Sequence, residues 1–370
     1  MAKLFKFDVI LDSEDLCDRQ KEIKRVLSVM ERQGRLVLYS IRRMGKTSLV
    51  HVCSQRRRAV QPNAFHLYVD LNETSSLEEV AQRFHTHSDL AFKKQFPAQK
   101  VKGLFNDLLA RLKINLPGGV ELSMEKMAFH HPETYLIQLF HKLAEISEKN
   151  ELVLIIDEFQ AIAELKKVQA FLRREFQQLS KAAILLMGSN QRLLYKIFND
   201  KKLPFFSFGE DMELKPIPVE DYLPYLNERF AASNILIQKK EAQYMLDLMN
   251  NVPNYVNELG AWIVENFSNL EITQGHIDSA FESAVESKRG RYFSALYGYS
   301  SLQKKFIGAV AKIGPVKKYS GSDMQEESGL PASELARIKK ELEDCPLLSL
   351  DTENHLFIID PFLRKFLEIM

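Results

Sequence analysis

The sequence predicts an α/β fold with a doubly wound parallel sheet, followed by a chain segment of helices. Three observations carry this expectation. Short apolar runs alternate with amphipathic stretches as far as Ile217, the rhythm of strand and crossover helix. Two runs, Leu152–Ile156 and Ala182–Met187, contain no polar residue, the mark of strands covered on both faces. Beyond Pro218 the apolar residues recur at helical spacing only.

Taken in order, Ser13–Gln33 reads as a helix with Ser13 as its N-cap, because Leu16, Ile23, Val26, Leu27 and Met30 fall at helical spacing and Gly34 follows. Leu36–Tyr39 reads as a strand, then a glycine-containing turn, then a helix over Lys46–Arg57. A second strand is expected at Ala64–Leu71 and helices at Leu77–Lys94 and Val101–Leu112. Asn115–Pro132, with Pro117-Gly118-Gly119, reads as a loop. A helix over Glu133–Glu148 leads into the strand Leu152–Ile156. A helix at Val168–Leu179 precedes the strand Ala182–Met187, and a last strand is expected at Asp211–Ile217.

After Pro218 come four expected helices, Val219–Phe230, Lys239–Met249, Tyr255–Phe267 and His276–Lys288. The remainder reads as helices Leu302–Ile313, Asp323–Ser328 and Ala332–Leu342, strands Leu347–Leu350 and His355–Ile359 around the turn Asp351–Asn354, and a final helix Pro361–Ile369. Three helices and a β-hairpin are the order of a winged helix. The expected domains are therefore 1–217, 218–295 and 296–370.

Composition excludes several classes. Of 370 residues, 45% are apolar and 27% charged, with 50 Lys and Arg against 49 Asp and Glu. A disordered chain would be less apolar and more unbalanced. A protein that coats nucleic acid over its whole surface would be more basic. The three cysteines, Cys17, Cys53 and Cys345, are widely spaced, which argues against a disulfide framework or a cysteine-rich zinc module and fits a reducing cytoplasm. The stretch Met1–Leu11 is too interrupted for a signal peptide. No apolar run reaches the roughly 18 residues of a membrane span.

Ser40-Ile41-Arg42-Arg43-Met44-Gly45-Lys46-Thr47 has the form of a phosphate loop. A strand delivers the chain to a tight loop whose amides point at phosphates, and the helix that follows adds its positive end. Lys46 can reach the β- and γ-phosphates, and the Thr47 hydroxyl can bind Mg²⁺. Ser40 stands where the pattern G-x-x-x-x-G-K-[ST] has glycine. The complementary acid should end another buried strand, and Leu152–Ile156 runs into Asp157-Glu158. Asp157 is expected to hold Mg²⁺ and Glu158 to orient and deprotonate the attacking water. Lys46 and Asp157 are far apart in sequence, which leaves room for the strand Ala64–Leu71 and suits NTPases with an extra strand between the loop strand and the acidic strand. The strand Ala182–Met187 ends in Gly188-Ser189-Asn190, where Ser189 and Asn190 are both candidates to sense the γ-phosphate.

These residues resemble the archaeal-type ATPases of the STAND group of P-loop NTPases, relatives of the AAA fold. Asp18-Arg19-Gln20-Lys21-Glu22 is similar to the family's N-terminal motif near the nucleotide base. Leu38–Leu49, with paired arginines, resembles its P-loop, Ile155–Gln160 its acidic strand and Met187–Asn190 its sensor. Asn251-Val252-Pro253 resembles a G-x-P motif whose proline contacts nucleotide, and Asp360-Pro361-Phe362 the end of its winged helix. The resemblance implies ATP and Mg²⁺ as ligands, with Asp18, Arg19, Ser40, Arg42, Arg43, Met44, Gly45, Lys46, Thr47, Ser48 and Pro253 around the nucleotide and Thr47 and Asp157 on the metal. Glu158, Lys46, Ser189 and Asn190 are the implied catalytic group. Ser40 and Asn251 depart from the family's glycines, and Phe208 follows Pro204-Phe205-Phe206-Ser207 where some members carry an arginine. Arg43, Arg173 and Arg174 remain as positive groups, and a slow rate stimulated by a partner follows if no arginine acts in cis.

The C-terminal part has its own reading. Residues 301–370 carry ten basic against eleven acidic side chains. The expected recognition helix Ala332–Leu342 mixes Arg337, Lys339 and Lys340 with Glu334 and Glu341. Duplex binding depends on phosphate neutralisation, so the basic stretch Lys304, Lys305, Lys312, Lys317 and Lys318 would have to supply it. Arg56-Arg57-Arg58 suits a helix C-terminus. His85, His87, His130 and His131 lack ligand spacing to a carboxylate or cysteine. The sequence therefore leads to an ATP-hydrolysing switch in which ATP and Mg²⁺ sit between core and helical lid, with a protein partner or self-association and no membrane. Two alternatives stand beside it: an ATP-regulated DNA-binding protein in the manner of origin-recognition or transposition ATPases, and a non-hydrolysing nucleotide-bound scaffold that recruits proteins.

Overall fold

The computed structural model describes residues 5–96, 128, 130–343, 345–350 and 354–370. The expected helix Val101–Leu112, the loop residues 115–127 and 129, and the turn residues 351–353 lie outside them. The described chain divides into two compact units. One holds Arg19–Ser40 and Lys46–Leu214; the other holds the chain up to Asp18, Ile41–Gly45 and Lys215–Met370.

The first unit is built on a parallel five-stranded sheet. Its helix α1 (Gln20–Glu31) precedes β1 (Arg35–Tyr39), α2 (Lys46–Val60), β2 (Phe65–Asp70) and α3 (Leu77–Gln95). Then come α4 (Pro132–Ser147), β3 (Leu152–Asp157), a 3₁₀ turn at Phe159–Ile162, α5 (Lys166–Gln178), β4 (Ala182–Gly188), α6 (Gln191–Asn199) and β5 (Glu210–Glu213). The sheet order is β2-β3-β4-β1-β5, with every neighbouring pair parallel. The chain runs outward from β1 to β2 and returns through β3 and β4, so right-handed crossovers place helices on opposite faces, as the alternation predicted. The strand lying between β1 and β3 is β4; β2, the Ala64–Leu71 expectation, forms an edge. Every residue of β3 and of β4 is buried, which is why both lack polar residues before their ends.

Several boundaries differ from expectation. The helix expected from Ser13 starts only at Gln20, because Asp18 and Arg19 both adopt left-handed backbone, φ 49° and 71°. Ser13 therefore caps no helix. Pro132 opens α4 at its first turn, where its missing N–H costs nothing. The last strand stops at Glu213, because Pro216 and Pro218 cannot donate to a ladder. Helix α6 was not foreseen; its buried Leu194, Ile197 and Phe198 follow directly on the polar turn at Ser189 and Asn190.

The second unit is helical. It contains α7 (Val219–Phe230), α8 (Lys239–Leu248), α9 (Pro253–Asn266), α10 (Gln274–Ser287) and α11 (Arg289–Tyr297). Of these α11 is new, its buried Tyr292 and Leu296 masked in the sequence by Arg289, Gly290 and Arg291. There follow α12 (Ser301–Ile313), α13 (Ser322–Ser328), α14 (Ala332–Glu341), the antiparallel strands β6 (Leu348–Leu350) and β7 (Leu356–Ile358), and α15 (Pro361–Ile369). Gly329 ends α13 in left-handed backbone at φ 65°. Asp360 caps α15 by accepting from the amides of Phe362 and Leu363. Phe362 then packs against Tyr255 of α9 and Phe281 of α10, ring centres 6.1 and 5.3 Å away.

The N-terminal segment is pinned into this helical unit. Phe5 lies 4.8 Å from the Phe230 ring, and a Cβ on Gly260 would come within 2.6 Å of the Phe5 ring. The carboxylate of Asp15 is shared by Lys6 at 2.6 Å and by the fully buried Arg229 at 3.3 Å. Among the described residues no helix is long and apolar enough to cross a membrane.

Candidate functional site

The loop leaving β1 carries two left-handed residues, Arg43 at φ 70° and Gly45 at φ 88°. A Cβ at Gly45 would meet nothing within 4 Å, so backbone conformation rather than space demands glycine there. Helix α2 then starts at Lys46 with no acidic residue in its first turn, leaving its positive end uncompensated.

Lys46 is buried, and its Nζ donates to the Ser40 carbonyl at 3.3 Å and to the Ser40 hydroxyl at 3.1 Å. The serine at the glycine position thus supplies a partner for the loop lysine. Thr47 Oγ1 donates to Asp157 Oδ2 at 2.9 Å. This contact ties the start of α2 to the end of β3, two places separated by most of the unit's sequence. Asp157 is itself buried, and its Oδ1 accepts from the Glu158 amide at 2.9 Å.

Glu158 turns away from the strand in left-handed backbone, φ 51° and ψ 39°. Its carboxylate accepts from Ser189 Oγ at 2.9 Å and from the Gln160 amide. Gly188 makes room for Gln160: a Cβ there would lie 2.0 Å from Gln160 Oε1. The two sensor candidates separate here. Ser189 faces Glu158, whereas the Asn190 side-chain oxygen caps α6 by accepting from the Leu193 amide at 3.1 Å.

Two participants escaped the sequence reading. Tyr68 donates from its hydroxyl to Asp157 Oδ2 at 2.8 Å. Burial and the Asp157 charge push that phenol well above its ordinary range, so it stays a donor. Gln160 is the other. Tyr68 sits within a run that reads simply as strand, and nothing local distinguishes either residue.

The remaining expected residues are distributed as follows. Ser40, Met44 and Ser48 are buried, and Arg42 is exposed. Arg19 is buried and pairs with Glu22 at 3.1 Å. Asp18 belongs to the helical unit, as does Pro253 at the first turn of α9. Arg43 joins that helix as well: its guanidinium lies 5.0 Å from the Tyr255 ring centre and 3.3 Å from Asp8. Arg173 stacks on Phe208 at 5.0 Å and donates to the Pro204 carbonyl, while Arg174 pairs with the buried Glu175 at 2.8 Å.

The donor chemistry fits a magnesium nucleotide. A hydroxyl and a carboxylate 2.9 Å apart are hard oxygen ligands of the kind Mg²⁺ takes. A buried ammonium at a helix start with no acidic residue in its first turn suits phosphate. Residues 16–184 match the family model described as an ATPase domain predominantly from Archaea. No curated protein sequence matches the chain. Among solved structures, the Walker-type ATPase PABY2304 of Pyrococcus abyssi is similar at 19% identity and a TM-score of 0.67, over 99% of each chain. The ORC1 protein of Aeropyrum pernix, solved in complex with DNA, is 13% identical with a TM-score of 0.54, over 98% of this chain and 94% of that one. The ORC2 protein of Aeropyrum pernix, solved as ADPNP–ADP complexes, gives 13% and 0.53, over 99% and 96%. At such identities the likeness is one of fold. The chain therefore has the α/β fold of P-loop ATPases with a helical C-terminal region, and residues 16–184 within it match the archaeal ATPase domain.

Proposed function

We propose that the chain binds ATP with Mg²⁺ and hydrolyses it slowly, acting as a nucleotide-driven switch of the archaeal STAND type. The observation that carries this reading is the Thr47–Asp157 hydrogen bond, with Glu158 next in sequence and Lys46 at the same helix start. Thr47 and Asp157 would hold the metal, directly or through water. The bound Mg²⁺ supplies positive charge to the phosphates. Lys46 leaves Ser40 to neutralise charge developing on the transferred group. Glu158 takes the proton of the attacking water, and Ser189 fixes the direction of its carboxylate. Gly45 and the amides before it cradle phosphate oxygens.

In this reading residues 1–217 form the catalytic core, 218–295 a helical lid and 296–370 a winged helix. The order α12, α13, α14, β6, β7 supports the last assignment. The output is contact with a protein partner or a second copy of the chain. The charge pattern favours protein over DNA: Arg337 on α14 is paired with both Glu334 and Glu341, and Lys312 with Glu327 at 2.9 Å. Arg173 and Arg174 are held by their own neighbours, which favours an arginine supplied in trans.

The test is ATP turnover and ATP binding in Lys46→Ala and Glu158→Gln. Lys46→Ala should lose both. Glu158→Gln should lose about 10²- to 10⁴-fold in turnover and keep ATP affinity. Wild-type turnover in Glu158→Gln removes the assigned base. Absent turnover in the wild type, with tightly held ADP, selects the scaffold reading.

A further inference from the structure

Asp157 Oδ2 accepts two hydroxyls. One is Thr47 Oγ1 at 2.9 Å, and the other is Tyr68 Oη at 2.8 Å. The second carboxylate oxygen is occupied by the Glu158 amide. Tyr68 approaches from β2, whose register sets Tyr68 opposite Ile155 and Asp70 opposite Asp157. Its ring is held edge-on to His87 of α3, centres 6.2 Å apart. The phenol is thus fixed by an edge strand and a helix that contain no part of the loop or the acidic strand.

The consequence follows from what the two hydroxyls are free to do. Thr47 would be a metal ligand in the proposed reading, so its hydroxyl would serve two partners. The Tyr68 hydroxyl donates to the carboxylate. Without Tyr68, the Glu158 amide would still hold Oδ1, but Oδ2 would follow Thr47 whenever Thr47 shifts. With Tyr68 present, one oxygen is pinned from the β2 side and the other from the backbone.

We propose that Tyr68 is a positioning residue for the metal carboxylate: its hydroxyl holds Asp157 in the orientation that accepts Mg²⁺, and so sets how strongly Mg²⁺ tightens nucleotide binding. The inference rests on the reading of Thr47 and Asp157 as the metal pair. It assigns to the edge strand a role in metal affinity rather than in phosphate or base recognition. Outer hydrogen-bond partners of this kind typically change metal affinity by about 10- to 100-fold.

The experiment titrates a fluorescent ATP analogue into the full chain, in EDTA and across a Mg²⁺ series, for wild type, Tyr68→Phe and Asp157→Asn, with the thermal midpoint of each. In Tyr68→Phe the affinity in EDTA should stay within about twofold of wild type, while the Mg²⁺ concentration for half-maximal tightening rises roughly tenfold. A residue of merely structural role would instead weaken binding equally in EDTA and in Mg²⁺ and lower the thermal midpoint. That outcome, or an unchanged Mg²⁺ midpoint, overturns the proposal. Asp157→Asn separates the two levels: if it leaves the Mg²⁺ response intact, the metal pair itself is misassigned; if it abolishes the response while Tyr68→Phe does not alter it, only the role of Tyr68 fails.

Discussion

Ser189 donates from its hydroxyl to Glu158 over 2.9 Å, joining the end of β4 to the residue after β3. Because the Gln160 amide holds the same carboxylate, the proposed base is oriented by the protein itself. Ser189→Ala should lower turnover by about tenfold to a hundredfold, the cost of misaligning a reacting group. ADP affinity should stay within about twofold. Steady-state kinetics with a parallel binding titration checks both.

In the proposed site Ser40 would compete with phosphate for Lys46, since the ammonium has the Ser40 hydroxyl at 3.1 Å. Ser40→Gly removes that partner. A single hydrogen bond is worth about 1 kcal/mol net, so ATP affinity should rise about fivefold, as measured by calorimetry. Unchanged affinity would show that Lys46 reaches phosphate without leaving Ser40.

Arg229 is fully buried, and Asp15 is its buried counter-charge. Asp15→Ala removes the buried counter-charge and leaves the guanidinium the exposed Glu228 at 3.5 Å, the Glu14 carbonyl at 3.3 Å and the face of the Tyr225 ring. Breaking a buried pair in this way costs about 3 kcal/mol or more. Arg229→Met should cost less, because Asp15 keeps Lys6. Chemical denaturation of the two variants gives the order directly.

His66 is buried at the start of β2 and bonded to Ser54. Burial, with Arg58 and Arg57 nearby, lowers its pKa from 6.5 to about 3. The unfolded chain therefore takes up a proton that the folded chain refuses between those values. Stability falls as pH drops through about 6.5 and levels off near 3, by about 1.4 kcal/mol per unit at most. His66→Gln should flatten that slope relative to wild type in pH-dependent urea melts.

Much of the site was legible because its signals are local. A left-handed glycine, a lysine and a threonine must be consecutive to turn a strand into a helix around phosphate, so Gly45, Lys46 and Thr47 read directly. A wholly apolar run ending in two acids announces β3 for a similar reason. What was misread also has a local cause. Helical spacing across Ser13–Arg19 concealed two residues of positive φ, and the two prolines after Glu213 truncated a strand that otherwise alternates plausibly.

The sequence by itself determined the loop, the acid pair and the alternation that requires a parallel sheet, since each depends on residues within one turn or one strand. Tertiary structure decided that β4 lies between β1 and β3, that Ser189 rather than Asn190 meets Glu158, and that Tyr68 meets Asp157. These outcomes depend on strand order and register, which bring together side chains separated by tens of residues. No periodicity within either strand encodes which partner it will find.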